Sequence, residues 1–315
     1  MKRVFIEGNI SLDLILGEID DFPGWGIELI IPGYTMRPGG QASNVVLALG
    51  NLSVPVYAVG TIGQDSVGQD IRSSYKKWGV GTDYLFTLPS VPTGLSVAVT
   101  NSKTHERTFL TELGAQSEIT VKLLEEVYPS IQDGDIFLIC GYFLSNKLRT
   151  GELVAFLQKL KTEKPTVILL LDTGWPPEGW IGSVKKEVFS LLPFIDYFLP
   201  NQLEIDNLTE HDMSKVFRKW NGTLVVKMGK EGCRVITSHY SFRIPTFQVE
   251  VKDTIGAGDY FNAGFILGLW KGYELAKSVQ LANIIASLNI SLDARREILA
   301  RPEDVERLLE RATRP

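Results

Sequence analysis

A glycine turn followed by an acidic residue is the stretch of this chain best suited to chemistry. Residues 253–264 read DTIGAGDYFNAG, in which Gly256 and Gly258 permit a tight turn that brings backbone N–H groups close to a ligand. Apolar residues then recur at helical spacing, so we expect Asp259 in the first turn of a helix. The amides and the positive end of the helix dipole suit an anion such as a phosphate. A carboxylate beside them could take a proton from a hydroxyl group that attacks the phosphoryl group.

The sequence around this turn predicts a strand, a turn and a helix. Residues 247–251 alternate between apolar and polar side chains, which is typical of a short strand. The helical pattern after Asp259 is interrupted near Lys271 and Gly272. An acidic residue is also favourable at a helix start for electrostatic reasons alone. The turn by itself therefore leaves a structural role for Asp259 open.

A second glycine-containing element opens an apolar helix near the N-terminus. Residues 38–44 read PGGQASN and are followed by VVLALGNL. Gly39 and Gly40 would present backbone amides at the start of that helix, and Asn44 can both donate and accept hydrogen bonds, which suits a polyol. A glycine pair before a helix is common and is often only structural.

Together and in this order, the two elements resemble the signature regions of the ribokinase-like (PfkB) carbohydrate kinase family. The resemblance covers essentially the whole chain. Four further blocks follow the family order: GNISLD at 8–13, GTIGQD at 60–65 with Gly68, NQLE at 201–204 and KMGKEG at 227–232. It implies one kinase domain over residues 1–315, with a three-layer α/β/α fold, a mainly parallel central sheet and a small β lid.

The resemblance implies transfer of the γ-phosphoryl group of ATP to a hydroxyl group of a monosaccharide or sugar acid. Asp259 resembles the catalytic base of the family, and Gly256, Ala257 and Gly258 would offer amides to the transferred phosphoryl group. The chain contains no GxxxxGK[ST] motif, so the nucleotide is not expected to sit on a P-loop.

The resemblance also implies an acceptor site. Asp13 would accept hydrogen bonds from sugar hydroxyl groups, with Gly39, Gly40 and Asn44 supplying the remaining contacts. Arg107, in the second lid segment, would contact the substrate or a phosphate, although a solvated arginine fits the sequence equally well.

Nucleotide and metal sites are implied further along the chain. Asn201 and Glu204 match the Asn-x-x-Glu motif of the family, in which Glu204 would help to place Mg²⁺ through water. The same spacing also fits a helix capping box. Lys227 stands where many relatives have threonine. The residues expected at the nucleotide are Asn201, Lys227, Gly229, Gly232, Thr254 and Asn283.

Three positions depart from the family pattern. Tyr142 stands where ribokinase has an acidic residue that holds ribose, which counts against ribokinase itself. Thr173 and Gly174 follow Asp172 where relatives carry Pro-Asn, so contact between that loop and the substrate is doubtful. Residues 293–296 read DARR instead of the Gly-Ala turn that shapes a monovalent cation site, so dependence on K⁺ stays open.

The elements that must position these residues alternate between strand and helix. Continuous apolar runs indicate strands buried on both faces, and helical periodicity lies between them, which is typical of βαβ units and a parallel sheet. Residues 14–34 and 94–113 instead predict hairpins, and by resemblance they place the lid at about 12–36 and 94–113. The predicted strands are 136–140, 167–171, 197–199 and 224–226, and the predicted helices include 148–160, 184–192 and an amphipathic 304–311.

Composition favours a soluble globular enzyme. The chain has 315 residues, 44% of them hydrophobic and 22% charged, and its net charge of −5 argues against a nucleic-acid partner. No apolar run approaches the ~20 residues of a membrane span, and the N-terminus lacks the features of a signal peptide, so we expect a cytoplasmic protein without a membrane partner. Cys140 and Cys233 are expected as buried thiols, and the three histidines lack the spacing of a zinc site.

Two alternatives and one assembly remain as hypotheses. A nucleoside kinase would need an apolar slot for the base, which Trp25, Phe109 and Tyr142 could line, and a catalytically silent sugar-binding protein would not need Asp259. We also expect a homodimer through the lid, because small isolated sheets are marginal in water and must bury their apolar residues. Those residues would be Ile15, Ile30, Leu95 and Phe109.

Overall fold

Two β-sheets of different size organise the molecule. The structure, a computed structural model, describes residues 2–104, 107–292 and 300–313. Nine strands form the larger sheet and four the smaller one. The strands are β1 (Val4–Gly8), β2 (Ser11–Leu16), β3 (Tyr34–Gly39), β4 (Val56–Gly63), β5 (Gly81–Leu88), β6 (Gly94–Thr100), β7 (Arg107–Glu112), β8 (Ile136–Cys140), β9 (Ile168–Asp172), β10 (Tyr197–Phe198), β11 (Thr223–Lys227), β12 (Cys233–Ile236) and β13 (Ser241–Ile244).

The larger sheet is mostly parallel. Its order is β13-β12-β11-β10-β9-β8-β1-β4-β5, and every pair from β11 to β5 is parallel, whereas β12 and β13 are antiparallel additions at one edge. Strands in the middle of this sheet are buried on both faces. In β1, Val4 and Ile6 enter one hydrophobic core and Phe5 enters the other, which explains the continuous apolar runs of the sequence.

Helices cover both faces of the larger sheet. One core packs against α1, α2, α7, α8 and α9, and the other against α3, α4, α5 and α6, so the predicted three-layer α/β/α arrangement is confirmed. The helices are α1 (Gln41–Asn51), α2 (Ser66–Lys77), α3 (Val121–Val127), α4 (Gly151–Glu163), α5 (Gly182–Leu191), α6 (Gln202–Thr209), α7 (Ala257–Trp270), α8 (Leu275–Ile290) and α9 (Pro302–Thr313).

The small sheet, formed by β3, β2, β6 and β7 in that order, contains the two predicted hairpins. β2 pairs with β3 and β6 pairs with β7 in antiparallel fashion, and β2 and β6 are parallel neighbours in the middle. Asp13 lies opposite Arg37 on one side and opposite Ser96 on the other, so these side chains share one face of the small sheet. The residues one position further along point to the other face.

The strand predicted at 247–251 is wrong. This segment carries no regular secondary structure and follows the edge strand β13 without pairing to another strand. Side chains of α8 meet some of its backbone instead, since Ser287 Oγ donates to the carbonyl oxygen of Phe247 at 3.4 Å. Alternation of side chains is therefore preserved here in an irregular segment that packs beside a helix.

The two cysteines are buried thiols, as the sequence predicted. Cys140 in β8 and Cys233 in β12 are both free and buried. Across the described ranges, no helix is long and apolar enough to cross a membrane.

Candidate active site

Parallel topology gathers polar residues at one edge of the larger sheet. Asp172 is the last residue of β9 and Lys227 the last of β11, while Asn201 follows β10 and begins α6. The carboxyl ends of parallel strands meet at a common edge, where ligands of open α/β sheets usually bind. Residues far apart in sequence therefore face one region.

The first turns of α1 and α7 meet at this edge. Asn44 Nδ2 donates a hydrogen bond to Asp259 Oδ2 at 2.8 Å, and both side chains are buried. Gly256, immediately before α7, has φ +73°, and a Cβ there would lie 3.0 Å from Asn44 Nδ2. A left-handed backbone and this close approach together explain the glycine. The predicted turn and helix start are confirmed, and they place Asp259 in the first turn of α7, directly after the glycine turn.

The Asp259 carboxylate has an unusual proton affinity. Burial raises the pKa of Asp259 to about 7, against the opposing effects of the Asn44 hydrogen bond and the Lys227 charge, while Asp172 raises it further. A carboxyl group with this pKa can accept and release a proton near neutral pH.

Lys227 forms a buried ion pair beside the same turn. Its Nζ donates to Asp172 Oδ2 at 2.6 Å, and Asn262 Nδ2 donates to that oxygen at 2.6 Å as well. A Cβ on Gly258 would lie 3.5 Å from Lys227 Nζ, so the ammonium group sits against the glycine turn. Burial acts to lower the pKa of Lys227, but the charges of Asp172 and Glu204 outweigh it and raise the pKa, so the lysine stays charged.

Asn201 and Glu204 form a complete capping box at the start of α6. Asn201 Oδ1 accepts from the Glu204 N–H at 2.9 Å, and Glu204 Oε2 accepts from the Asn201 N–H at 2.8 Å. Burial, followed by the nearby Asp172 charge, raises the pKa of Glu204 to about 7. The capping hypothesis is therefore confirmed. Glu204 also lies at the sheet edge that carries Asp172 and Lys227, so its capping bonds do not exclude a second role there.

The oxygen donors at this edge fit a hydrated Mg²⁺ better than an ion held by protein alone. The carboxylates of Asp172, Glu204 and Asp259 outnumber the single ammonium of Lys227, which favours an additional cation. Within the described ranges no group of three or more His, Cys, Asp or Glu side chains could hold a metal ion. Mg²⁺ commonly keeps several waters and uses one or two carboxylates together with substrate phosphates.

Asp13 and the two N-terminal glycines lie on the small sheet and at its junction with α1. A Cβ on Gly39 would lie 2.0 Å from the Asp13 carboxyl group, and one on Gly40 would lie 2.4 Å from the Asn9 carbonyl oxygen. Burial raises the pKa of Asp13 to about 6, and the Arg37 guanidinium opposes that shift. The Asp13 charge also acts to raise the pKa of Asp259, because like charges disfavour ionisation.

Other predicted site residues are less clearly assembled. Asn283 Nδ2 donates to the carbonyl oxygens of Ile244 at 3.2 Å and Pro245 at 3.3 Å, so its amide supports the segment after β13. Thr254 is exposed, and its carbonyl oxygen accepts from the Ala257 N–H at 3.2 Å. Gly229 and Gly232 flank the turn between β11 and β12.

Two predicted features fall partly or wholly outside the described structure. The backbone of Arg107 pairs with Thr100 in the small sheet, but the Arg107 side chain lies outside the description. The turn at 293–296, on which the question of a monovalent cation depends, also lies outside the described residues.

The proposed apolar slot for a nucleoside base is not assembled as expected. Tyr142 is buried, and its hydroxyl group donates to Glu187 Oε1 at 2.6 Å. Trp25 is fully exposed, and Phe109 is about half exposed. Tyr142 therefore serves the core and an internal hydrogen bond rather than a stacking surface.

The sequence did not identify Asn262 or Arg37 as site residues, and it left substrate contact by the loop after Asp172 doubtful. Asp172 ends a predicted strand, and Asn262 lies three residues after Asp259, which places it one helical turn away. Arg37 lies two residues before Gly39, and strand alternation puts both on the face that carries Asp13. The sequence shows these spacings, but it does not show which side chains lie next to Asn262 or Arg37.

Comparison with known proteins agrees with this arrangement. Residues 9–296 match the pfkB family carbohydrate kinase. A ribokinase of Lactococcus lactis is 26% identical over 292 residues, which cover 92% of this chain and 91% of that protein. A 5-dehydro-2-deoxygluconokinase of Photobacterium profundum is 27% identical over 276 residues, which cover 83% of this chain and 82% of that protein.

A solved structure shares the fold. A provisionally named ribokinase II of Escherichia coli, in complex with ATP and Mg²⁺, superimposes with a TM-score of 0.83 at 20% identity, covering 99% of this chain and 100% of that one. Kinases of this kind use ATP. The chain therefore belongs to the pfkB family of carbohydrate kinases and is a sugar or nucleoside kinase.

Proposed function

We propose that this protein transfers the γ-phosphoryl group of ATP to a hydroxyl group of a monosaccharide or sugar acid, with Asp259 as the catalytic base. The observation that carries the proposal is the buried Asp259 carboxylate, which is hydrogen-bonded to Asn44 in the first turn of α7. It combines a proton acceptor with a helix N-terminus that favours phosphate.

The proposed reaction forms one bond and breaks one bond. The acceptor oxygen attacks the γ-phosphorus, the bond from that phosphorus to the bridging oxygen breaks, and ADP leaves. Asp259 takes the hydroxyl proton, while the amides of Gly256 and Gly258 would face the transferred group. The Ala257 N–H donates to the Thr254 carbonyl oxygen in this structure, so it would have to exchange that bond to join them. Aligned amides stabilise developing charge without reorganising during the reaction.

Lys227 has a role in this proposal because of its place beside Gly258. Its ammonium group is held by Asp172, and Asn262 holds the same carboxylate oxygen. A charged lysine next to the turn offsets negative charge on the transferred phosphoryl group. Asn201, Gly229, Gly232, Thr254 and Asn283 would contact the nucleotide.

Mg²⁺ would lie near Glu204, with water between them, and would supply charge neutralisation of the phosphate oxygens. Glu204 would orient the hydrated ion while it keeps its capping hydrogen bond to Asn201. The buried Asp172 beside it gives this edge the negative charge that a cation requires.

On the acceptor side, Asp13 would accept hydrogen bonds from sugar hydroxyl groups. Gly39 and Gly40 leave room for the Asp13 carboxyl group and the Asn9 backbone beside the acceptor, and Asn44 would bind a hydroxyl group while it orients Asp259. Arg107 is retained as a substrate contact of the second lid segment.

We also propose a homodimer through the outer face of the small sheet. Met36, Leu14, Val97 and Leu110 occupy one register row across all four strands, on the face opposite Asp13. Met36 and Leu110 are about half exposed, whereas Ile15, which we expected to need a partner, is already buried. A continuous apolar row at the surface favours association.

Release of ADP in the presence of Mg²⁺ tests the proposed function with panels of neutral sugars, sugar acids and nucleosides. We expect activity on a sugar or sugar acid, and a loss of at least ~100-fold in Asp259→Asn, since a positioned base typically contributes that much or more. Retention of more than about a tenth of the wild-type rate would remove Asp259 from the base role. Activity on nucleosides alone would favour the second kinase hypothesis.

A further inference from the structure

Several buried polar atoms around the candidate site have no hydrogen-bond partner. Within the described part of the chain these include Arg37 Nε, Asn9 Oδ1, Gln41 Oε1 and Asn262 Oδ1. Folded proteins satisfy nearly all their buried polar groups, so unsatisfied atoms that gather at one site indicate a missing ligand. Each unpartnered donor calls for an acceptor on that ligand, and each unpartnered acceptor calls for a donor.

Arg37 is the cation of this group and lies against Asp13. The two residues are direct neighbours in the β2–β3 pair, and their side chains share one face of the small sheet. Burial raises the pKa of both Asp13 and Tyr260, and the Arg37 charge opposes that rise in each case. No ion pair to Arg37 is formed by the residues that the structure describes.

The guanidinium of Arg37 selects for an anion. It presents donors in a rigid planar fork that matches a carboxylate, and it cannot lose its charge in a protein. A neutral sugar would leave this half-buried charge without a counter-ion beyond the neighbouring Asp13. An anionic group on the substrate would satisfy it with charge-assisted hydrogen bonds.

The acceptor atoms lie further along β3 and into α1. Gly40 approaches Asn9, and the unpartnered Asn9 Oδ1 lies 2.0 Å from the position of a Cβ on Gly141. Gln41, the first residue of α1, approaches Gly141 and Gly174 with its amide. Unsatisfied carbonyl oxygens accept hydrogen bonds from hydroxyl groups. The site therefore offers hydroxyl acceptors at Asn9 and Gln41 and a cation at Arg37, which lies opposite Asp13 in the β2–β3 pair.

We propose that the acceptor substrate is a polyhydroxy carboxylic acid and that Arg37 binds its carboxylate; this rests on the proposed kinase function. A carboxylate carries a single negative charge, which one guanidinium can balance beside Asp13. A phosphate ester would bring close to two negative charges towards the Asp13 carboxylate, which the one positive charge of Arg37 would offset less completely. The charge of the site therefore favours a sugar acid over a sugar phosphate.

Matched acceptors test the proposal in the wild-type protein. We compare kcat/KM for gluconate and galactonate, including their 2-keto-3-deoxy forms, with values for glucose, galactose, gluconamide and fructose 6-phosphate. We expect at least one acid to exceed its neutral counterpart by roughly 10-fold or more, because a hydrogen-bonded charge pair contributes that much. Preference for a neutral sugar, a nucleoside or fructose 6-phosphate would overturn the proposal.

Variants of Arg37 test the residue. Arg37→Gln should lower kcat/KM for the acid by roughly 10- to 100-fold, mainly through KM, while KM for ATP changes little. Arg37→Lys should restore part of the loss, since it keeps the charge but not the fork. Arg218→Gln, in an exposed turn at Met213–Arg218, serves as the control for charge removal. An equal loss in kcat for acids and neutral sugars would assign Arg37 to the transferred phosphoryl group instead.

Binding separates this proposal from the kinase proposal. Calorimetric titration of gluconate into the wild-type protein, Arg37→Gln and Arg218→Gln requires no turnover, and thermal unfolding checks that each variant is folded. Binding that depends on Arg37 without any ADP release would refute the kinase function and retain the acid site. ADP release with acids that is unaffected by Arg37→Gln would support the kinase function and refute the role of Arg37 in binding the acid.

Discussion

Asp259 combines a raised pKa with a single orienting hydrogen bond, and this determines its expected pH behaviour. A base must be unprotonated to act, so kcat/KM should fall as the pH drops through about 7, the pKa to which burial raises Asp259. The Asn44 hydrogen bond lowers that pKa, because it stabilises the carboxylate.

Asn44→Ala should therefore shift the acidic limb of the pH profile to higher pH. We expect the shift together with a fall in the plateau rate, since Asn44 also orients the base. Initial rates from pH 5.5 to pH 9 in constant ionic strength would measure both effects. An unchanged limb in Asn44→Ala would show that another group controls this pKa.

The close approach of β3 to β2 explains why residue 39, in the first signature region, is a glycine. Gly39 is the last residue of β3, and a Cβ there would lie 2.0 Å from the Asp13 carboxyl group. Even the smallest side chain must therefore displace Asp13 or separate the two strands.

Gly39→Ala should raise KM for the acceptor by roughly 10-fold or more and leave KM for ATP nearly unchanged, because the loss of one charge-assisted contact has this size. Gly151→Ala is the matched control, since a Cβ there meets nothing within 4 Å at the start of α4. If the control and Gly39→Ala behaved alike, the contact with Asp13 would have no part in acceptor binding.

At the scale of the whole molecule, Glu7 makes stability depend on pH. This residue is fully buried in β1, where Oε1 accepts from Ser145 Oγ at 3.2 Å and Oε2 has no partner among the described residues. Burial raises the pKa of Glu7 from 4.5 to about 8. The folded state thus retains a proton that the unfolded chain loses between these values, so the stability from Glu7 falls as the pH rises from about 4.5 to about 8.

Glu7→Gln should remove this contribution, on the order of 5 kcal/mol over the full interval. We expect the free energy of unfolding of the variant, measured with urea at pH 5 and pH 8, to vary less with pH than that of the wild type. Glu126→Gln, at an exposed position of α3, is the control. The same pH dependence in Glu7→Gln and wild type would contradict the prediction.

The proposed dimer belongs to the same scale. Leu110→Arg places a charge in the row formed by Met36, Leu14, Val97 and Leu110, and should convert the dimer into a monomer. Tyr240→Arg is a control at a similarly exposed apolar residue, between β12 and β13. Sedimentation at micromolar concentration measures the result. A wild-type monomer with full activity would refute the assembly.

Local features of this protein followed from the sequence alone because neighbouring residues create them. The capping box of Asn201 and Glu204 spans three residues, and the turn before α7 depends on Gly256 and the helical pattern behind it. Apolar runs identified β8, β9 and β11, since strands buried on both faces exclude polar residues.

Contacts between distant elements were decided only by the tertiary structure. Asn44 and Asp259 are 215 residues apart, and Asp172 and Lys227 are 55 apart, so no sequence period connects either pair. The 247–251 segment alternates like a strand, but a strand requires a neighbour with free backbone groups, and here it follows the edge strand of the sheet. The role of Arg37 also depends on the tertiary structure, because strand pairing places it opposite Asp13 and packing leaves its Nε without a partner among the described residues.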